Sequence, residues 1–199
     1  MRVSKEKAAA NRERILAEAA RLFRERGLSG VGVDALAEAA GLTHGSLYSQ
    51  FGSKEHLAAE ALDHALAGSA VKTGRATSLA EYAGNYLSAK HRDGPGRGCA
   101  IAALGGEVAR QPAPVRQRYT EGVRGMVGRI ARLMPGGADS ASAADEALAA
   151  AATLVGALVL ARAVDDPELS ARILAAGRAR VVGDEAPVHD AAKPGGNLG

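Results

Sequence analysis

Residues 33–54 read VDALAEAAGLTHGSLYSQFGSK, and this stretch restricts the chain more than any other. Ala37 falls where two short helices must nearly touch, and Gly41 falls where the turn between them can use a positive φ. Leu42 and Leu47 supply apolar cover for the junction. This is the spacing of a helix-turn-helix, in which the second helix enters a major groove. Thr43 is placed to cap that second helix, which spans residues 43–50 and turns Leu47 inward, with Phe51 a turn further on. A further cap at Ser53 sets Lys54 at the opening of another helix, where its ammonium and the free backbone N–H groups suit a phosphate.

Apolar residues make up 47% of the 199-residue chain and charged ones 24%, so it can bury a core. Ala, Leu, Arg and Glu dominate and aromatic residues are 3%, so intrinsic propensity favours helix throughout and no sheet is expected. The net charge of +3 permits a nucleic-acid partner without demonstrating one. Arg2, Lys5, Lys7, Arg12 and Arg14 crowd the amino terminus, either as an arm along a DNA backbone or as a solvated end. The single cysteine excludes an intrachain disulfide framework and fits a reducing cytoplasm, and no secretory signal opens the chain. The most apolar run, residues 147–161, is shorter than the ~20 residues of a membrane span and reads as a buried helix.

Hydrophobic spacing predicts about nine helices: 4–26, 33–40, 43–50, 54–67, 79–90, 99–110, 115–133, 143–164 and 167–182. Segment 68–78 is small, polar and basic and reads as a hinge. Segment 92–98, RDGPGRG, reads as a loop with no phosphate-loop context. The Pro135-Gly136-Gly137 run stops the seventh helix, and residues 183–199 read as a disordered tail.

Residues 12–62, centred on LTHGSLYSQFGSKEHL, resemble the amino-terminal domain of the TetR/AcrR family of bacterial transcriptional regulators. The resemblance is carried by Gly41, Leu42, Thr43, Gly45, Leu47, Tyr48, Phe51, Ser53, Lys54, Glu55 and Leu57. It departs at Val31 and Gly32, where the family carries a capping Ser or Thr; that loss weakens one phosphate contact. The resemblance implies an all-α fold. A homeodomain-like three-helix DNA-binding domain over 1–67 would be followed by a ligand-binding and dimerisation domain over 68–182.

The family further implies a homodimer through the last two helices, a palindromic double-stranded DNA operator, and release by a small molecule. Thr43, His44, Gly45 and Ser46 are then candidates for base edges, and Tyr48, Ser49 and Lys54 for phosphates. Tyr82, Tyr86, Cys99, Tyr119 and Met126 are candidates for the ligand cavity, although the tyrosines read more readily as core residues with their hydroxyls at the rim. Cys99 at a helix start is either a thiol sensor of oxidants or electrophiles or a small buried packer. An enzyme built on His64, His91, Glu107 or His189 lacks any recognisable nucleophile, metal or phosphate motif, and the His56/His64 spacing is wrong for two ligands on one turn. A helical adaptor that binds only protein would leave the polar face of the second helix without a purpose. No metal, cofactor or membrane is expected.

Overall fold

The structure, a computed structural model, describes residues 5–134 and 141–183. Ten α-helices and one 3-10 turn, with no strand, make up those residues. In chain order they are α1 (Lys5–Arg26), α2 (Val33–Ala39), α3 (His44–Phe51), α4 (Lys54–Thr73), α5 (Leu79–Tyr86), α6 (Ala89–Asp93), the 3-10 turn Pro95–Arg97, α7 (Ala100–Val108), α8 (Ala113–Leu133), α9 (Ala141–Ala163) and α10 (Pro167–Val182). Arg2 of the basic arm, the stop at 135–137, His189 and the tail 184–199 lie outside the described residues.

Two apolar clusters form the core. One joins α1–α4 with α7 and the start of α8 through Ile15, Phe23, Leu36, Leu47, Leu57 and Leu104; the other joins α5 and α7–α10 through Tyr82, Met126, Ile130, Leu154, Leu158 and Leu174. Leu66 of α4 and Tyr119 of α8 pack against both. The two clusters therefore share a wall rather than a flexible joint.

Several expectations require correction. The fourth helix does not stop at residue 67. It crosses Gly68 and runs to Thr73, because packing on α8 outweighs the ~1 kcal/mol that an interior glycine costs. The supposed hinge shrinks to residues 74–78. The fifth helix is two helices: Leu87 leaves helical geometry (φ −96°, ψ 40°), and Ser88 accepts the His91 N–H as the cap of α6. That additional helix brings the total to ten. The sixth helix, expected over 99–110, is α7 and ends at Val108, and Pro114 sits in the first turn of α8, where a missing N–H costs nothing.

The apolar stretch of α9 is also longer than the sequence run suggested. Ala143–Ala163 is, among the described residues, the one helix long and apolar enough to cross a membrane by length and composition. It is the central helix of the second cluster, with Ala147, Leu154 and Leu158 fully buried.

Candidate nucleic-acid interface and effector cavity

The turn between α2 and α3 is closed by backbone geometry. Gly41 adopts φ +65°, which lets its N–H reach the Glu38 carbonyl (2.9 Å) and the Leu42 N–H reach the Ala37 carbonyl (2.9 Å). These two bonds satisfy the carbonyls that end α2 and fix the angle at which α3 departs. Ala37 and Leu47 are buried at the crossing. Gly32 caps α2 without a side-chain bond, and the neighbouring Val31 serves the core instead.

Thr43 caps α3, its Oγ1 accepting from the Ser46 N–H (3.3 Å) and lying 2.9 Å from Ser46 Oγ. Thr43, His44, Gly45, Tyr48 and Ser49 are exposed on one face, with Ser46 half-buried among them. Ser49 Oγ donates to the Ser46 carbonyl (2.9 Å), and the His44 and Tyr48 rings lie 5.0 Å apart. Nothing stands near Gly45, so a surface can approach its backbone closely. Ser53 Oγ accepts from the His56 N–H (3.1 Å) and leaves Lys54 half-buried at the start of α4.

One residue of this region escaped the sequence reading and another is placed differently by the structure. Asp34 of α2 holds His44 Nδ1 at 2.6 Å, so the imidazole orientation is set from the neighbouring helix. Arg12, expected either in a DNA-following arm or in a solvated end, is turned inward. It donates to the Gln50 carbonyl (3.0 Å), pairs with Glu60 and stacks 4.3 Å over the Phe51 ring, clasping α1, α3 and α4 together. Periodicity cannot show such a contact, since its partners lie 38 and 48 residues away.

The second site is a cavity of about 540 Å³ between α4, α5, α6, the loop 94–99, α7 and α8. That volume is within the range of small-molecule sites. Tyr82, Tyr86, Cys99 and Met126 line it; Tyr119 is not among the lining residues, and its hydroxyl donates to the Ile101 carbonyl (3.1 Å). Tyr82 and Tyr86 stack at 6.1 Å, and His91 meets Tyr86 edge-on at 4.8 Å. The Cys99 N–H donates to His91 Nε2 (2.9 Å), so Nδ1 carries the proton donated to the Tyr86 carbonyl (2.6 Å). Gly98 is required here, since a Cβ would fall within 3 Å of the His91 ring.

Burial lifts the Tyr82 phenol to about 12, with Arg129 beside it pulling the other way. Burial, and then the Cys99 thiol, hold Tyr86 well above the usual phenol range. The sequence reading missed Arg129, although it follows Met126 by three residues and so shares its helical face.

The cavity is tied to both ends of the molecule. Leu66, Ser69 and Thr73 of α4 form one wall, and α4 opens beside α3. Arg24 of α1 donates from Nε to the Gly96 carbonyl (2.8 Å) in the loop that supplies Arg97, Gly98 and Cys99. Glu107 of α7, once a candidate for catalysis, accepts the Ser29 N–H (3.0 Å) and holds the loop after α1. His64 is paired with Glu13 (3.2 Å). Among the described residues no three His, Cys, Asp or Glu side chains are grouped to hold a metal ion.

A capped two-turn helix with a free polar face, joined by one long helix to a cavity in a helical domain, defines a DNA-binding regulator of the helix-turn-helix class. Residues 15–61 match the family profile described as bacterial regulatory proteins, tetR family. The fold of most of the chain is similar to solved TetR-family structures. A TetR transcriptional regulator from Chloroflexus aurantiacus has a TM-score of 0.73 at 24% identity, covering 88% of this chain and 94% of that one. The reduced form of E. coli NemR gives 0.72 at 23% identity, covering 86% and 95%. A TetR-family regulator from Cytophaga hutchinsonii gives 0.68 at 23%, covering 92% and 98%. No curated protein sequence matches the chain. Residues 15–61 thus carry the DNA-binding-domain profile of the tetR family, and the chain has the fold of TetR-family transcriptional regulators.

Proposed function

We propose that two copies of this chain form a repressor that binds a palindromic operator and leaves it when a small molecule enters the cavity. The observation that carries this reading is α4. A single 20-residue helix, about 30 Å long, begins at the Ser53 cap beside the recognition helix and ends as a wall of the cavity. A ligand that favours one position of Leu66, Ser69 and Thr73 over another thereby biases the position of α3.

Thr43, His44, Gly45 and Ser46, at the amino end of α3, are assigned to base edges. Tyr48, Ser49 and Lys54 are assigned to phosphates. Two turns of helix make few base contacts, so affinity comes from reading two half-sites at once. The dimer surface is assigned to α9 and α10, where Leu148, Val159, Leu160 and Leu169 stay between 41% and 56% exposed in the single chain. Small side chains such as Ala149, Ala152 and Ala175 lie exposed beside them and allow close helix approach. Absence of a catalytic role and residence in the cytoplasm belong to the same reading.

Selection of bound sequences from a random duplex pool tests it. A recovered palindrome whose affinity falls steeply with salt supports the dimeric reader; recovery of single half-sites, or of no preferred sequence, refutes it. A thiol-responsive regulator is the second reading, favoured by the position of Cys99 in the cavity wall. There an electrophilic carbon bonds to Sγ and the thiol proton is released. Loss of response in Cys99→Ser, with ligand-induced release retained in the first reading, separates the two.

A further inference from the structure

The cavity's lining has a marked charge imbalance. Arg75, Lys90, Arg97 and Arg129 all contribute to it, and no Asp or Glu does. None of these four cations takes part in an ion pair among the described residues, in contrast to Arg12, Arg21, Arg92 and Arg118 elsewhere. Four cations around one space, without a counter-charge, attract an anion.

Two polar atoms sharpen the inference. Among the described residues, the buried side-chain N and O atoms without a hydrogen-bond partner are Tyr86 Oη and Arg129 Nε, and both residues line this cavity. Tyr86 is only 5% exposed and its hydroxyl is buried, so bulk solvent does not satisfy it. Buried donors are normally satisfied, and two unsatisfied donors on residues that line one cavity favour a ligand that brings an acceptor. The apolar part of the wall is Leu66, Ala76, Ile101 and Met126 with the stacked rings of Tyr82 and Tyr86, and the uncharged polar part is Ser69, Thr73 and Asn85, with His91 beside them.

We propose that the cavity binds an organic monoanion of the aryl or acyl carboxylate class, its carboxylate held by Arg129 Nε and the Tyr86 hydroxyl and its apolar body against Leu66, Ile101 and Met126. This rests on the reading of the cavity as an effector site and adds the chemistry that the effector must have. Arg129 supplies a charge-assisted bond in a partly dry setting, where such bonds are strong. Tyr86 keeps its proton across the physiological range because burial opposes ionisation, so it remains a donor to the anion. The apolar body presses on Leu66, a side chain that packs against both clusters of the core.

The test titrates the full-length protein by calorimetry with 2-naphthoate, octanoate and decanoate, each beside its primary amide. At least one carboxylate should bind about ten-fold or more tightly than its amide, and Arg129→Met should weaken the carboxylate alone by a similar factor. Tyr86→Phe should cost about three-fold or more. Arg129→Lys, which keeps the charge without Nε, should fall between wild type and Arg129→Met. Undiminished DNA affinity of each variant shows that it is folded. Amides that match the carboxylates, a preference that survives Arg129→Met, or failure of all three carboxylates to bind overturns the proposal. Operator release is scored separately: a carboxylate that binds through Arg129 without releasing DNA sustains the anion site and refutes the effector reading.

Discussion

Replacing Lys54 by alanine separates electrostatic from sequence-specific binding. Lys54 is the first residue of α4, half-buried, and makes no ion pair among the described residues. Its substitution leaves the Ser53 cap intact and removes a cation from the positive end of a helix dipole, so folding stability should be unchanged or slightly raised. If each Lys54 neutralises one phosphate, the slope of log K against log salt should lose about 0.9 per subunit, or about 1.8 for a dimer on its operator. Carried over a decade of salt, that is about a 60-fold loss of affinity at 0.1 M, shrinking to nothing near 1 M. Fluorescence anisotropy of a labelled operator between those concentrations measures both lines. The loss should be the same for operator and for unrelated duplex, since a phosphate contact carries no sequence information. Parallel lines for wild type and variant would remove Lys54 from the phosphate contacts, and a loss confined to operator would move it to the base edges.

Arg12→Ala should lower the stability of the DNA-binding half by about 1 to 3 kcal/mol, because a charge-assisted clasp and a ring contact are lost together. Its salt slope, measured on the folded variant, should match wild type, and a flattened slope would return Arg12 to the DNA-following arm. Arg24→Met removes the bond to the Gly96 carbonyl while the apolar stem keeps its packing. DNA affinity without effector should stay within about three-fold of wild type while effector-induced release weakens by about ten-fold or more, both read in the same anisotropy titration. Raising the pH tests the buried phenols. Tyr82 and Tyr86 bind protons more tightly folded than unfolded, so their contribution to stability is complete below pH 10 and is lost as pH rises through about 12. Chemical denaturation should show stability falling across that window, less steeply in Tyr86→Phe, and a flat profile would contradict their burial.

The all-helical class and the recognition unit were readable from the sequence because their determinants are local. A positive-φ glycine at 41, caps at Thr43 and Ser53, and Leu47 four residues from Phe51 act within one or two turns of the chain. Helix ends were read well where a cap or a proline marks them, as at Asp166 and Pro167, whose first turn is held by Asp166 on two N–H groups. They were misread where packing overrides propensity, as at Gly68 within α4, or where a cap lay inside an apolar run, as at Ser88.

The site residues divide in the same way. The polar face of α3 follows from helical spacing, whereas Asp34 behind His44 and the inward turn of Arg12 depend on how α1, α2 and α4 cross. Tyr82, Tyr86, Cys99 and Met126 were placed near one another by resemblance, but sequence could not show that Tyr119 would bond the Ile101 carbonyl and stay out of the lining. Nor could it bring Arg75, Lys90, Arg97 and Arg129 around one space, since each reads along the chain as an ordinary surface charge. Local sequence thus determined which helices form and which face of α3 is polar, because caps, turns and periodicity act over a few residues. Only the tertiary structure decided where unpaired donors converge, because charges as much as 54 positions apart along the chain meet only after the two apolar clusters have packed across Leu66.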